Sequence, residues 1–145
     1  MEAPVDYSPA PRSHTRIFST LSEITSTNSV FDKMTFNLAD QPDIMAAVLS
    51  SGRKTVILTG LETDVCVAQS ALGLISAGLS VAVVADACAA PGDAHTQGLK
   101  RIDSAGGLIT NVKSLYYEWI RTVELGNQFS SGQFSWIKRP EGIVF

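Results

Sequence analysis

The sequence predicts a three-layer α/β fold: a mostly parallel sheet with helices on both faces. Two uninterrupted apolar runs carry much of that reading. Val56-Ile57-Leu58 stops at Gly60, and "LSVAVVAD" follows a stop at Gly78; such runs read as strands buried on both faces. Each is followed by a stretch with helical periodicity, and strands alternating with helices call for parallel pairing through right-handed crossovers. The 145 residues, 45% hydrophobic and 17% charged, suit one domain with its own core.

The elements follow in order. Met1 to Arg12 holds three prolines and little periodicity, so residues 1–28 read as an extended or irregular arm, with "HTRIF" as a short strand inside it. "SVFDK", Ser29 to Lys33, alternates as a strand does. A helix from about Gln41 to Ser50 takes Pro42 in its first turn and Gly52 at its end. Thr55 to Thr59 forms a strand, Cys66 to Ala77 a helix, and Ser80 to Ala85 the next strand. "GDAHTQGLKRIDSAGG" supplies a helix marked by Leu99 and Ile102 and stopped at Gly106-Gly107. "LITN" is a short strand. "VKSLYYEWIRTVEL" reads as one aromatic-rich helix, Val112 to Glu124, in which Leu115, Trp119 and Val123 recur every four residues. Residues 125–145 hold a short helix, "NQFSSGQFSWIK", and an apolar tail. The whole is expected to be a single domain, 1–145, with its core over residues 29–124.

Composition excludes several classes of function. A net charge of −3 with scattered Lys and Arg offers no basic stripe for nucleic acid. No run approaches the ~18 apolar residues that span a bilayer, and the start lacks the order of a signal peptide. Cys66 and Cys88 are too few for a disulfide scaffold and are not spaced as zinc ligands, so both are expected as free thiols. The expected location is the cytoplasm or an organelle matrix. Nucleotide-binding glycine motifs are absent, and no cofactor is implied.

The chemistry gathers at "TVILTGLETDVCVAQSALGLISAG", Thr55 to Gly78. In open parallel sheets ligands bind outside the carboxyl ends of the strands, and Cys66 lies there, at a strand-to-helix junction. The positive end of a helix favours thiolate, and free N–H groups of a first turn can hold an oxyanion. A buried structural thiol is the alternative from position alone.

"GLETDVCV" resembles the nucleophile segment of the isochorismatase-like cysteine hydrolases, with Gly60, Thr63, Asp64, Cys66 and Val67 at the matching positions. "VFDKMTFN" looks like the family's lysine strand, "VAVVADACAA" like the strand after the nucleophile helix, and "GGLITNVKSLYYEWIRTVE" like the closing strand and helix of its uncharacterised hydrolase branch. The resemblance runs from about Ser29 to Glu124 and implies a Rossmann-type topology. It also implies Cys66 as the nucleophile, attacking an amide-type carbonyl, and Lys33 as the cation beside it. It places a non-proline cis peptide at Leu61-Glu62 and an oxyanion hole in the N–H groups of Glu62 and Cys66. Thr63 and Asp64 support the nucleophile helix, Asp64 as its cap.

The family's catalytic Asp, on a first strand near the N-terminus, has no match before Lys33. Asp6 sits in a proline-flanked segment, and Asp32 should point away from Lys33 in an extended chain. The chain is therefore expected to begin after the family's first two strands, leaving the Val56 strand with an unpaired edge. His14 and His95 do not reproduce the arrangement by which nicotinamidases of this family hold a metal, so no metal is implied and both read as exposed or structural. Cys88 reads as packing, and Tyr116, Tyr117 and Trp119 as core or subunit contact. Two functions stand: a cysteine hydrolase of small amides, ureido compounds or related small molecules, or a catalytically impaired relative acting as a pseudoenzyme or a binding or oligomerisation module. Self-association into a homo-oligomer is expected from either.

Overall fold

The computed structural model describes residues 31 and 33–130, which belong to one compact unit. The "HTRIF" strand, the arm over 1–28, His14, Asp6, Asp32 and the tail beyond 130 lie outside the described residues. Of the expected Ser29–Lys33 strand only Phe31 and Lys33 are described, and neither is in a strand.

A 3₁₀ turn, Leu38–Asp40, leads into α1, Pro42–Ser50. Asn37 caps the turn by accepting the Ala39 N–H, and Pro42 opens α1, where a missing N–H costs nothing. Then come β1, Thr55–Leu61; a π-helical turn, Thr63–Val67; α2, Ala68–Ser76; β2, Ser80–Ala89; α3, Ala94–Ser104; β3, Leu108–Thr110; α4, Val112–Ile120; and α5, Val123–Ser130.

The three strands lie in the order β1-β2-β3, all parallel. Thr55 pairs with Ser80 and Leu58 with Val83, and on the far side Ala82 pairs with Leu108 and Val84 with Thr110. Buried Val67, Ala68, Ala71 and Leu74 meet Val81, Val83 and Ile102 in one apolar cluster, with Met45, Val48, Val56 and Leu58 against it. This places α1, α2 and α3 on one face of the sheet. On the opposite face α4 approaches Ile57 and Val84 across an apolar cavity of about 290 Å³ that Leu115, Tyr116 and Trp119 also line. The architecture is the expected α/β arrangement, with helices on both faces.

Three local readings change. First, β2 is buried from Val81 to Val84, but β1 alternates, with Ile57 37% exposed. Its apolar run therefore covers one face of the core rather than two. Second, the expected helix Val112–Glu124 is two helices. Arg121 takes a positive φ of 64°, its N–H donates to Tyr117 O at 2.9 Å, and Thr122 N–H turns back to Ile120 O at 2.7 Å. No glycine or proline marks this break. Third, the buried residue of α4 is Ile120, at 4% exposure, whereas Trp119 is 65% and Val123 75% exposed. The Leu115-Trp119-Val123 spacing holds only for an unbroken helix.

An L-residue in the positive-φ region costs on the order of 1–3 kcal/mol, which glycine avoids at a smaller cost in chain entropy. Arg121→Gly is therefore expected to stabilise the fold by about 1 kcal/mol, read as a higher urea midpoint at unchanged slope. A lower midpoint would show that contacts of the Arg121 side chain outweigh the backbone term.

Candidate active site

The carboxyl end of β1 is irregular in the way a site requires. Between Leu58↔Val83 and Gly60↔Cys88 the ladder skips, two steps along β1 facing five along β2. Gly60 adopts φ 122°, open to glycine and strained for other residues, and the Leu61-Glu62 peptide bond is cis. Glu62 O then accepts the N–H of Val67 at 3.0 Å and of Val65 at 3.3 Å, closing a wide turn over Thr63–Val67 that runs directly into α2. Cys66 is the fourth residue of this turn, a half-buried free thiol.

Cys66 and Lys33, 33 residues apart in the chain, line the same open cavity of about 160 Å³. Thr59, Ser70, Leu38, Leu58 and Leu61 also line it. The Lys33 ammonium donates to Phe36 O at 3.0 Å and to Thr35 O. Two of its three N–H donors thus fold the lysine loop onto itself. Ser70, one helical turn beyond Cys66 and buried, binds that loop to α2: its Oγ accepts Leu38 N–H at 3.0 Å and donates to Phe36 O at 3.3 Å. Ser70 lies outside the motif that carries Cys66. Its i, i+4 spacing from Cys66 is the signal that could have found it.

The support of the turn also differs from expectation. Asp64 was expected as a cap before a helix starting at Cys66. The helical path instead begins at Thr63, with Glu62 in the cap position and making no side-chain cap bond. Asp64 therefore sits inside the first turn, and its Oδ1 is shut off from solvent without a hydrogen-bond partner among the described residues. Thr63 is fully buried, and its Oγ1 lies 2.9 Å from Nδ1 of His95 on α3. Gly98, one turn further along α3, faces the same segment: a methyl group there would stand 2.7 Å from Asp64 Cα and N. His95 is thus structural rather than exposed, and it is held by Thr63 of the same turn that carries Cys66.

Cys88 belongs to the wall of the core. Burial pushes its thiol above the ordinary range; the Asp86 carboxylate adds to this, while the Gly60 backbone N–H opposes it. Among the described residues no group of three His, Cys, Asp or Glu side chains could hold a metal ion, and no helix is long and apolar enough to cross a membrane.

Comparison with known proteins agrees with this arrangement. The family model described as the isochorismatase domain matches residues 5–114. The match begins well before Ser29, where the motifs recognisable in the sequence start. A secreted isochorismatase effector, Isc1, of Phytophthora sojae is 36% identical over 112 residues, covering 71% of this chain and 53% of the relative. Among solved structures, YcaC from Pseudomonas aeruginosa, with hexane-2,5-diol and covalent acrylamide, superposes with a TM-score of 0.61 at 30% identity, covering 69% of this chain and 52% of that one. YcaC of Escherichia coli, an octameric hydrolase of unknown specificity, superposes with a TM-score of 0.59 at 25% identity, covering 72% and 59%. The chain spans about half the length of these relatives. With the family model covering most of its length, the chain belongs to the isochorismatase domain family.

Proposed function

We propose that the chain is a cysteine hydrolase of the isochorismatase family acting on a small amide, ureido or related compound. The observation that carries this reading is the cavity shared by Cys66 and Lys33 at the carboxyl end of β1. In the proposed reaction the Cys66 thiolate attacks the carbonyl carbon, and the N–H groups of Glu62 and Cys66 hold the oxyanion. The C–N bond then breaks, the nitrogen leaves with a proton drawn from solvent water, and the hydroxide left behind hydrolyses the thioester, releasing the acid and returning the Cys66 thiolate. Lys33 supplies positive charge beside the thiolate. The Pseudomonas YcaC structure with covalent acrylamide supports an electrophile-accepting nucleophile in this branch.

A second reading rests on what lines the cavity. Among the described residues around it there is no carboxylate or imidazole to take the thiol proton, and positioned acid–base catalysis is worth ~10²- to 10⁴-fold. An impaired member would form adducts with electrophiles and turn over slowly. The exposed Tyr117, Trp119 and Val123 support self-association, as does the octameric Escherichia coli relative. Two free thiols support a reducing compartment such as the cytoplasm; the Phytophthora relative is named as secreted, and fractionation of the tagged chain decides between them.

The test is an assay of the 145-residue chain and of Cys66→Ala against small amides and ureido acids, with sedimentation of the same preparation. Turnover that Cys66→Ala removes is the expected result for the hydrolase. A stoichiometric adduct at Cys66 without turnover supports the impaired member. Turnover surviving Cys66→Ala would overturn both, and a monomer at micromolar concentration would overturn the self-association.

A further inference from the structure

We infer that His95 is a positioning residue for the nucleophile, a latch from α3 that fixes the turn carrying Cys66. This rests on the reading of Cys66 as nucleophile. Packing holds the turn, with Thr63 fully buried and Val67 in the core cluster, but side-chain hydrogen bonds to its start are few. It follows a skipped ladder, its cap residue Glu62 is exposed and makes no side-chain cap bond, and Asp64 Oδ1 has no partner among the described residues. Among the described residues, the side-chain hydrogen bond that reaches it from another element is that of His95, whose Nδ1 lies 2.9 Å from Oγ1 of fully buried Thr63.

The geometry of α3 makes that bond specific. His95 and Gly98 are three residues apart and share a helical face, and Gly98 lets the α3 backbone come against the main chain of Thr63 and Asp64. The glycine sets the separation and the histidine sets the rotation. Thr63 begins the π-helical turn, and Cys66 follows three residues later, so a rotation at Thr63 is carried into the direction of the Cys66 Cα–Cβ bond. His95 itself does not line the cavity of Cys66 and Lys33. It acts on the nucleophile only through the turn.

The test uses iodoacetamide and peptide mapping on the full chain, with Cys88 as an internal control. Cys88 is part-buried on β2 and gains reactivity when the fold loosens generally. His95→Ala and Thr63→Val should each slow alkylation of Cys66 about five- to tenfold, the equivalent of one ordinary hydrogen bond, with no change at Cys88. Combining them should add nothing further, because both remove the same bond. His95→Asn, which restores a hydrogen-bonding group near Nδ1, should recover most of the rate. An unchanged Cys66 rate in Thr63→Val overturns the inference, as does parallel acceleration of Cys66 and Cys88. Thr63→Val keeps the native shape, so it decides the question even if His95→Ala does not fold. Wild-type Cys66 reacting no faster than Cys88 would instead count against the nucleophile, a different failure visible before any variant is made.

Discussion

Iodoacetamide at neutral pH is expected to label Cys66 at least about tenfold faster than Cys88, because the thiolate alone reacts and burial holds the Cys88 thiol protonated. Cys66 lines an open cavity that Lys33 also lines. Cys88 packs against the core, and burial and the Asp86 carboxylate hold its thiol protonated above the usual range. The sign of the pH dependence follows. A raised pKa leaves Cys88 almost wholly protonated at pH 7, so its labelling should climb about tenfold for each pH unit until that raised pKa is reached. Cys66→Ala should leave only this slow, steeply pH-dependent reaction. Quantifying the two labelled peptides by mass spectrometry between pH 6 and pH 10 checks both statements, and preferential labelling of Cys88 at pH 7 would remove Cys66 from the mechanism.

What the sequence made legible was whatever local chemistry decides. Apolar runs bounded by glycines located β1 and β2, Pro42 located the start of α1, and Gly106-Gly107 located the end of α3. The family motif brought Cys66 and Lys33 to one site, and the structure lines one cavity with both. The hidden features are those fixed by residues far apart in the chain. Thr63 and His95 are separated by 32 residues, as are Leu38 and Ser70. No local period announces either bond. The exposed face of β1 was misread for a related reason, since Val56-Ile57-Leu58 is apolar throughout and periodicity cannot tell one buried face from two. The break at Arg121 was invisible because Arg is a good helix former, and nothing in its side chain signals a positive φ.

Gly98 shows how such a long-range constraint falls on a residue that looks unremarkable in sequence. In "HTQGLKR" it sits mid-helix, where glycine costs about 1 kcal/mol relative to alanine, so propensity alone predicts that Gly98→Ala stabilises α3. The packing predicts the opposite. An alanine methyl would stand 2.7 Å from Asp64 N and Cα and 2.8 Å from Thr63 C, all main-chain atoms of the turn that carries Cys66. No rotamer change relieves a clash with backbone, so α3 or the turn must move. Overpacking of this kind costs about 1–3 kcal/mol, enough to outweigh the propensity gain and to take a large share of a domain's stability. Gly98→Ala is therefore expected to lower the urea midpoint by an amount equivalent to about 2 kcal/mol and, by displacing Thr63 from His95, to slow alkylation of Cys66 as well. A midpoint that rises would mean that α3 backs away without loss, and with it the close approach of α3 to the turn that carries Cys66 would lose its role.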